Sequence, residues 1–113
     1  MTAVPKMPSQ LPPLSRVELH VHLDGALRPS TIWELCKKKG LPLPGAGTLA
    51  DLTSAIQPTV AGTLTSVLAV FSHTAPSITG DVLAIERIAV EFCEDAARTG
   101  LLYVEARYIH YTY

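Results

Sequence analysis

A chain of 113 residues with 48% hydrophobic and 17% charged side chains has the make-up of a globular protein and room for at most one small domain. Its formal net charge of −1 excludes the concentrated Lys and Arg with which proteins hold nucleic acid or anionic membranes, and no stretch approaches the ~20 apolar residues of a transmembrane helix. The two cysteines, Cys36 and Cys93, both fall inside predicted helices and read as buried free thiols of a reducing compartment rather than as a disulfide.

Residues 1–15 hold four prolines and no apolar signal core, so they read as a loose leader, with structure beginning near Arg16. The run Val17-Glu18-Leu19-His20-Val21-His22-Leu23-Asp24-Gly25 then alternates like a strand. Residues i and i+2 of a strand share a face. His20 and His22 therefore stand side by side, and two such imidazoles can converge on one Zn²⁺ through bonds of about 2.0–2.1 Å when further ligands arrive from elsewhere. Asp24 continues their parity, and Gly25 ends the strand at a tight turn. Leu19, Val21 and Leu23 take the other parity and suit a covering helix. A bare His-x-His occurs by chance in many chains. Here the pair closes an apolar strand just before a helix start, which is where α/β folds keep their sites.

Pro29 suits the first position of a helix over Pro29 to Lys39, with Thr31 and Glu34 spaced as a capping box. Lys37, Lys38 and Lys39 complement the helix dipole before a Gly40 C-cap. The Pro- and Gly-rich stretch after Leu41 is a loop, and a short helix is predicted over Leu49 to Ile56. From Thr63 to about His73, Leu64, Val67, Leu68 and Phe71 recur at i, i+3, i+4 and i+7, predicting one amphipathic helix. Gly80-Asp81 opens a long helix whose apolar stripe of Ile85, Ile88, Ala89, Phe92, Cys93 and Ala96 opposes Glu86, Arg87, Glu91, Glu94 and Asp95, taken as a solvated face. Gly100 ends it, and Leu101 to Tyr108 reads as a second strand, parallel to the first. Glu18 and Glu105 are expected to pair with an arginine such as Arg107.

These residues resemble a known family. Val17-Glu18-Leu19-His20-Val21-His22-Leu23-Asp24-Gly25-Ala26, with Arg28-Pro29-Ser30-Thr31-Ile32, resembles the amino-terminal signature of the adenosine deaminases, zinc-dependent purine hydrolases of the amidohydrolase superfamily. Thr63-Leu64-Thr65, Leu68-Ala69 and Phe71, then Arg87-Ile88-Ala89 with Glu91-Phe92, then Tyr103-Val104-Glu105-Ala106-Arg107-Tyr108 continue the likeness in order.

The resemblance implies an α/β fold, an incomplete (β/α)8 TIM barrel represented by its first two parallel strands and intervening helices. A whole barrel needs ~250 residues. Residues 16–108 form the amino-terminal part of the catalytic barrel, and residues 109–113 a divergent tail where the family continues with Ser-Pro. His110 then belongs to the tail, and His73, at the end of a helix away from the strand mouth, reads as structural or exposed. The resemblance makes His20 and His22 zinc ligands, with one Zn²⁺ per complete active site. It sets His22 and Asp24 against the nucleoside, Asp24 accepting a ribose hydroxyl and repelling a 5′-phosphate. Leu64, Val67, Leu68 and Phe71 match an apolar pocket lid, although ordinary core packing accounts for each equally well.

The implied activity is hydrolytic deamination of adenosine and 2′-deoxyadenosine to inosine in purine salvage, in the cytoplasm, with cell-surface protein partners in some vertebrate relatives. The His-x-Glu and Pro-Cys-x-x-Cys motifs of polynucleotide deaminases do not occur. The family's third histidine, metal-binding aspartate and proton-donating glutamate have no counterparts in these residues, so no catalytic residue is assigned. The alternative reading is a non-catalytic truncated piece without turnover; a secreted, growth-factor-like deaminase is a lesser one.

Overall fold

The computed structural model describes residues 16–57 and 62–108. The order is β1 (Arg16–His22), a 3-10 turn (Leu23–Gly25), α1 (Pro29–Lys39), α2 (Leu49–Ile56), α3 (Leu64–Leu68), α4 (Phe71–Ile78), α5 (Val82–Arg98) and β2 (Leu101–Arg107). The strands pair in parallel as a two-stranded sheet, with Arg16 opposite Leu101 and His22 opposite Arg107. The register is irregular between Glu18 and Val21, just before the histidine pair is complete.

The helices cover the loop beyond β1 with two joined apolar clusters. In the first, Leu23 from the 3-10 turn meets Leu35, Ile78, Ala84 and Ile88, so α1, α4 and α5 converge on the segment that follows the strand. In the second, Ile32 and Cys36 on the other side of α1 close over Leu52 of α2. Leu27 packs against both. Burying a Leu or Ile side chain contributes about 1.5–3 kcal/mol.

Helix ends follow the sequence closely. α1 starts at Pro29 and stops at Gly40, whose φ of 66° only a residue without Cβ adopts readily. The last turn carries the three lysines: Lys37 sits 5.6 Å from the Trp33 ring centroid, and Lys39 pairs with Asp81 at 2.8 Å and donates to the Ser77 carbonyl. Asp81 caps α5 by accepting from the Ala84 amide at 3.0 Å. The Lys39 ammonium and that amide hold the Asp81 carboxyl below its usual range.

Several expectations are corrected. The capping box at Thr31 and Glu34 does not form, because Arg28 is the N-cap and Thr31 already lies inside the helix. The single helix over Thr63 to His73 is two: at Ser72 and His73 the amides bond to residues three back, and this tight turn resets the helical phase. Leu64 and Leu68 consequently face solvent, 73% and 53% exposed. Cys36 is buried as expected, whereas Cys93 is exposed, lying on the flank of the α5 stripe. Burial pushes the Cys36 thiol up, with Lys39 acting weakly in the other direction. The β1 face carrying Val17 and Leu19 is not dry: these side chains are 58% and 56% exposed, since the helices gather beyond the strand end instead of over it.

Candidate metal centre at the end of the first strand

His20 and His22 end β1 on one face, as the strand period requires. Their rings lie 5.2 Å apart at 45°, and Nε2 to Nε2 is 3.3 Å. Two nitrogens bound to one tetrahedral zinc at about 2.0–2.1 Å stand roughly 3.3–3.4 Å apart, so the pair has the span that a shared zinc needs. Without a metal, the same separation lets one ring donate to the other. Among the described residues no group of three or more His, Cys, Asp or Glu side chains is gathered for a metal. The pair fits two positions of a coordination shell and no more.

Asp24 does not continue the strand parity. The chain turns at Leu23 into the 3-10 turn, which swings Asp24 inward, where it is 4% exposed. Its Oδ1 has no hydrogen-bond partner among the described residues. A buried carboxylate oxygen without a donor is costly. Gly25 sits beside it, and a Cβ built there would lie 3.5 Å from Cζ of Phe71. Of the lid residues whose side chains are described, Phe71 is thus the one that lies against the turn holding Asp24. Leu64 and Leu68 point to solvent, and the Val67 side chain lies outside the described residues, as do residues 1–15 and His110. His73 sits in α4, half-buried, its carbonyl 4.0 Å from the Cys36 thiol.

A polar clamp behind the turn was not foreseen. Arg28 donates from Nε to both carboxylate oxygens of Asp95, at 3.2 and 3.0 Å, and from Nη2 at 2.9 Å. The Thr31 hydroxyl donates to Glu91 at 2.5 Å, and Arg87 bridges Glu91 at 2.9 Å and Glu34 at 2.7 Å. Glu91 and Asp95 therefore lie between α5 and α1 instead of on a solvated face. Hydrogen bonding by Arg28 holds the Asp95 carboxyl below its usual range. At Glu91 burial pushes upward, and the Thr31 hydroxyl and Arg87 together outweigh it, so the net shift is downward. The clamp fixes the segment that carries the chain from Asp24 into α1. Its sequence signal was the i, i+4 spacing of Glu91 and Asp95 facing an arginine just ahead of Pro29.

Arg107 also departs from expectation. It does not pair with Glu18 or Glu105; its Nη1 lies 3.0 Å from both ring nitrogens of His20, and Glu105 accepts instead from the Tyr103 hydroxyl at 2.8 Å. No helix among the described residues is long and apolar enough to cross a membrane.

Known proteins supply the context for this geometry. The adenosine deaminase family matches residues 15–112. Adenosine deaminase of Gallus gallus is 46% identical over 93 residues, which cover 82% of this chain and 26% of the relative. That of Danio rerio is 47% identical over 95 residues, covering 82% and 26%, and that of Shewanella denitrificans is 39% identical over 97 residues, covering 84% and 28%. The chain spans about a quarter of the length of the curated relatives it matches. With the family matched over nearly the whole chain, and with the strand, turn and helices of its motif in order, the chain belongs to the adenosine deaminase family of hydrolases.

Proposed function

We propose that this chain serves zinc-dependent hydrolytic deamination of adenosine and 2′-deoxyadenosine to the corresponding inosine, as the opening segment of a (β/α)8 barrel working in cytoplasmic purine salvage. The observation that carries the reading is the 3.3 Å separation of the His20 and His22 Nε2 atoms at the end of a parallel strand, in a chain of this family. Strand ends of this kind are where barrel enzymes keep their chemistry.

His20 and His22 would hold the metal through Nε2. Bound zinc supplies, near neutral pH, a water acidic enough to act as a nucleophile. Asp24 takes the substrate-facing role: its buried Oδ1 offers an acceptor for a ribose hydroxyl, and its charge disfavours a 5′-phosphate. The Arg28 and Thr31 clamp on α5 holds the turn so that Asp24 and the strand end keep their relation. Phe71 stands over Gly25 as the apolar wall, and Leu64, Val67 and Leu68 would extend it as a lid. The general acid and the remaining ligands are not supplied by these residues.

A second reading, a non-catalytic chain that holds zinc weakly, is favoured by the absence of a third metal-ligating side chain near the pair among the described residues. Equilibrium dialysis against zinc, combined with an absorbance assay for inosine, tests both. We expect zinc retention that disappears in His20→Ala and His22→Ala, and no adenosine turnover by the 113 residues above the His20→Ala background. Zinc retained equally by both variants would overturn the ligand assignment; turnover would overturn the non-catalytic reading.

A further inference from the structure

We infer that Arg107 sets how tightly the histidine pair takes up zinc, as a competing cation built into the end of β2; this rests on reading His20 and His22 as zinc ligands. Arg107 is the last residue of β2 and lies opposite His22 in the parallel register. Its Nη1 is 3.0 Å from Nδ1 and 3.0 Å from Nε2 of His20, so the guanidinium spans the imidazole instead of addressing a single nitrogen. The same Nε2 is the atom that stands 3.3 Å from Nε2 of His22. A fixed positive charge thus lies against the imidazole that a divalent cation would bind.

Among the described residues no carboxylate neutralises the Arg107 guanidinium, and the nearby Glu105 is engaged by Tyr103. Two cations on one imidazole repel each other, so zinc binds more weakly until the guanidinium swings away. The side chain is exposed at the strand end, and a change of rotamer suffices. Arg107 acts through His20, which makes it a positioning residue.

Competition titrations of the 113-residue chain with zinc alone against a chromophoric chelator measure this. Arg107→Gln and Arg107→Met both remove the charge, so the test survives if one of them fails to fold. Each is expected to bind zinc about ten-fold tighter than the unmodified chain, while Arg107→Lys stays near the unmodified value. Unchanged or weaker binding in the Gln and Met variants, or equal tightening in the Lys variant, overturns the inference. His20→Ala separates the two levels of the argument. Binding that survives it overturns the ligand assignment and this inference together; His20-dependent binding that is indifferent to Arg107 overturns the inference alone.

Discussion

Thr31 shows how much one side chain can decide. It is 1% exposed, and its hydroxyl donates to a Glu91 carboxylate that is itself largely buried. A hydrogen bond to a charged acceptor in such a place is worth about 1.5–3 kcal/mol, and removing the donor leaves the acceptor unpaired. Thr31→Val keeps the shape and removes the hydroxyl. It is expected to destabilise the chain by about 2 kcal/mol, read as a lower urea midpoint by circular dichroism; an unchanged midpoint would show that Arg87 alone satisfies Glu91. The residue was visible in the sequence only as half of a capping box. Its actual partner sits 60 positions away on another helix, and local spacing carries no information about that. His20 and His22 are the opposite case, since a strand's period of two dictates that neighbours at i and i+2 share a face.

At the scale of elements, the contact between α1 and α5 is an ion-pair seam as well as an apolar one. Asp95, Asp81 and Glu91 all have carboxyl pKa values lowered in the fold. A group depressed in this way contributes stability above its unfolded pKa, about 3.9–4.3 for carboxylates, and loses it as pH falls through the folded value. The melting temperature should therefore stay level from about pH 7 to about pH 5 and drop steeply below about pH 4, with a shallower drop in Asp95→Asn. A melting temperature indifferent to pH across that range would show that the seam contributes nothing. Helix limits at Pro29, Gly40, Asp81 and Gly100 were legible because capping chemistry is local. The break between α3 and α4 was not. The apolar spacing of Leu64, Val67, Leu68 and Phe71 assumes a continuous helix, and a tight turn after Leu68 shifts the phase.

For the whole molecule, the sheet is the exposed part. Val17, Leu19, Leu102 and Tyr103 are each more than half exposed on two strands whose outer edges pair with no other strand among the described residues. The packed core lies with the helices beyond the strand end. Uncovered apolar strands and open edges favour loose structure and self-association. The 113-residue chain is accordingly expected to bind an anilinonaphthalene dye and to melt over a broad range. A sharp cooperative melt of a monomer, measured by calorimetry with light scattering, would contradict this.

The sequence by itself determined the two strands, α1, α2 and α5, their parallel order, the pairing of His20 with His22 and the family, because each rests on short-range periodicity, capping or an ordered string of motifs. Only the tertiary structure decided that Asp24 turns inward with an unpartnered oxygen, that Glu91 and Asp95 face Arg28 and Thr31, and that Arg107 lies over His20. Those facts depend on which distant segments meet. Chain direction after a turn and the register between strands set them, and neither is written in local spacing.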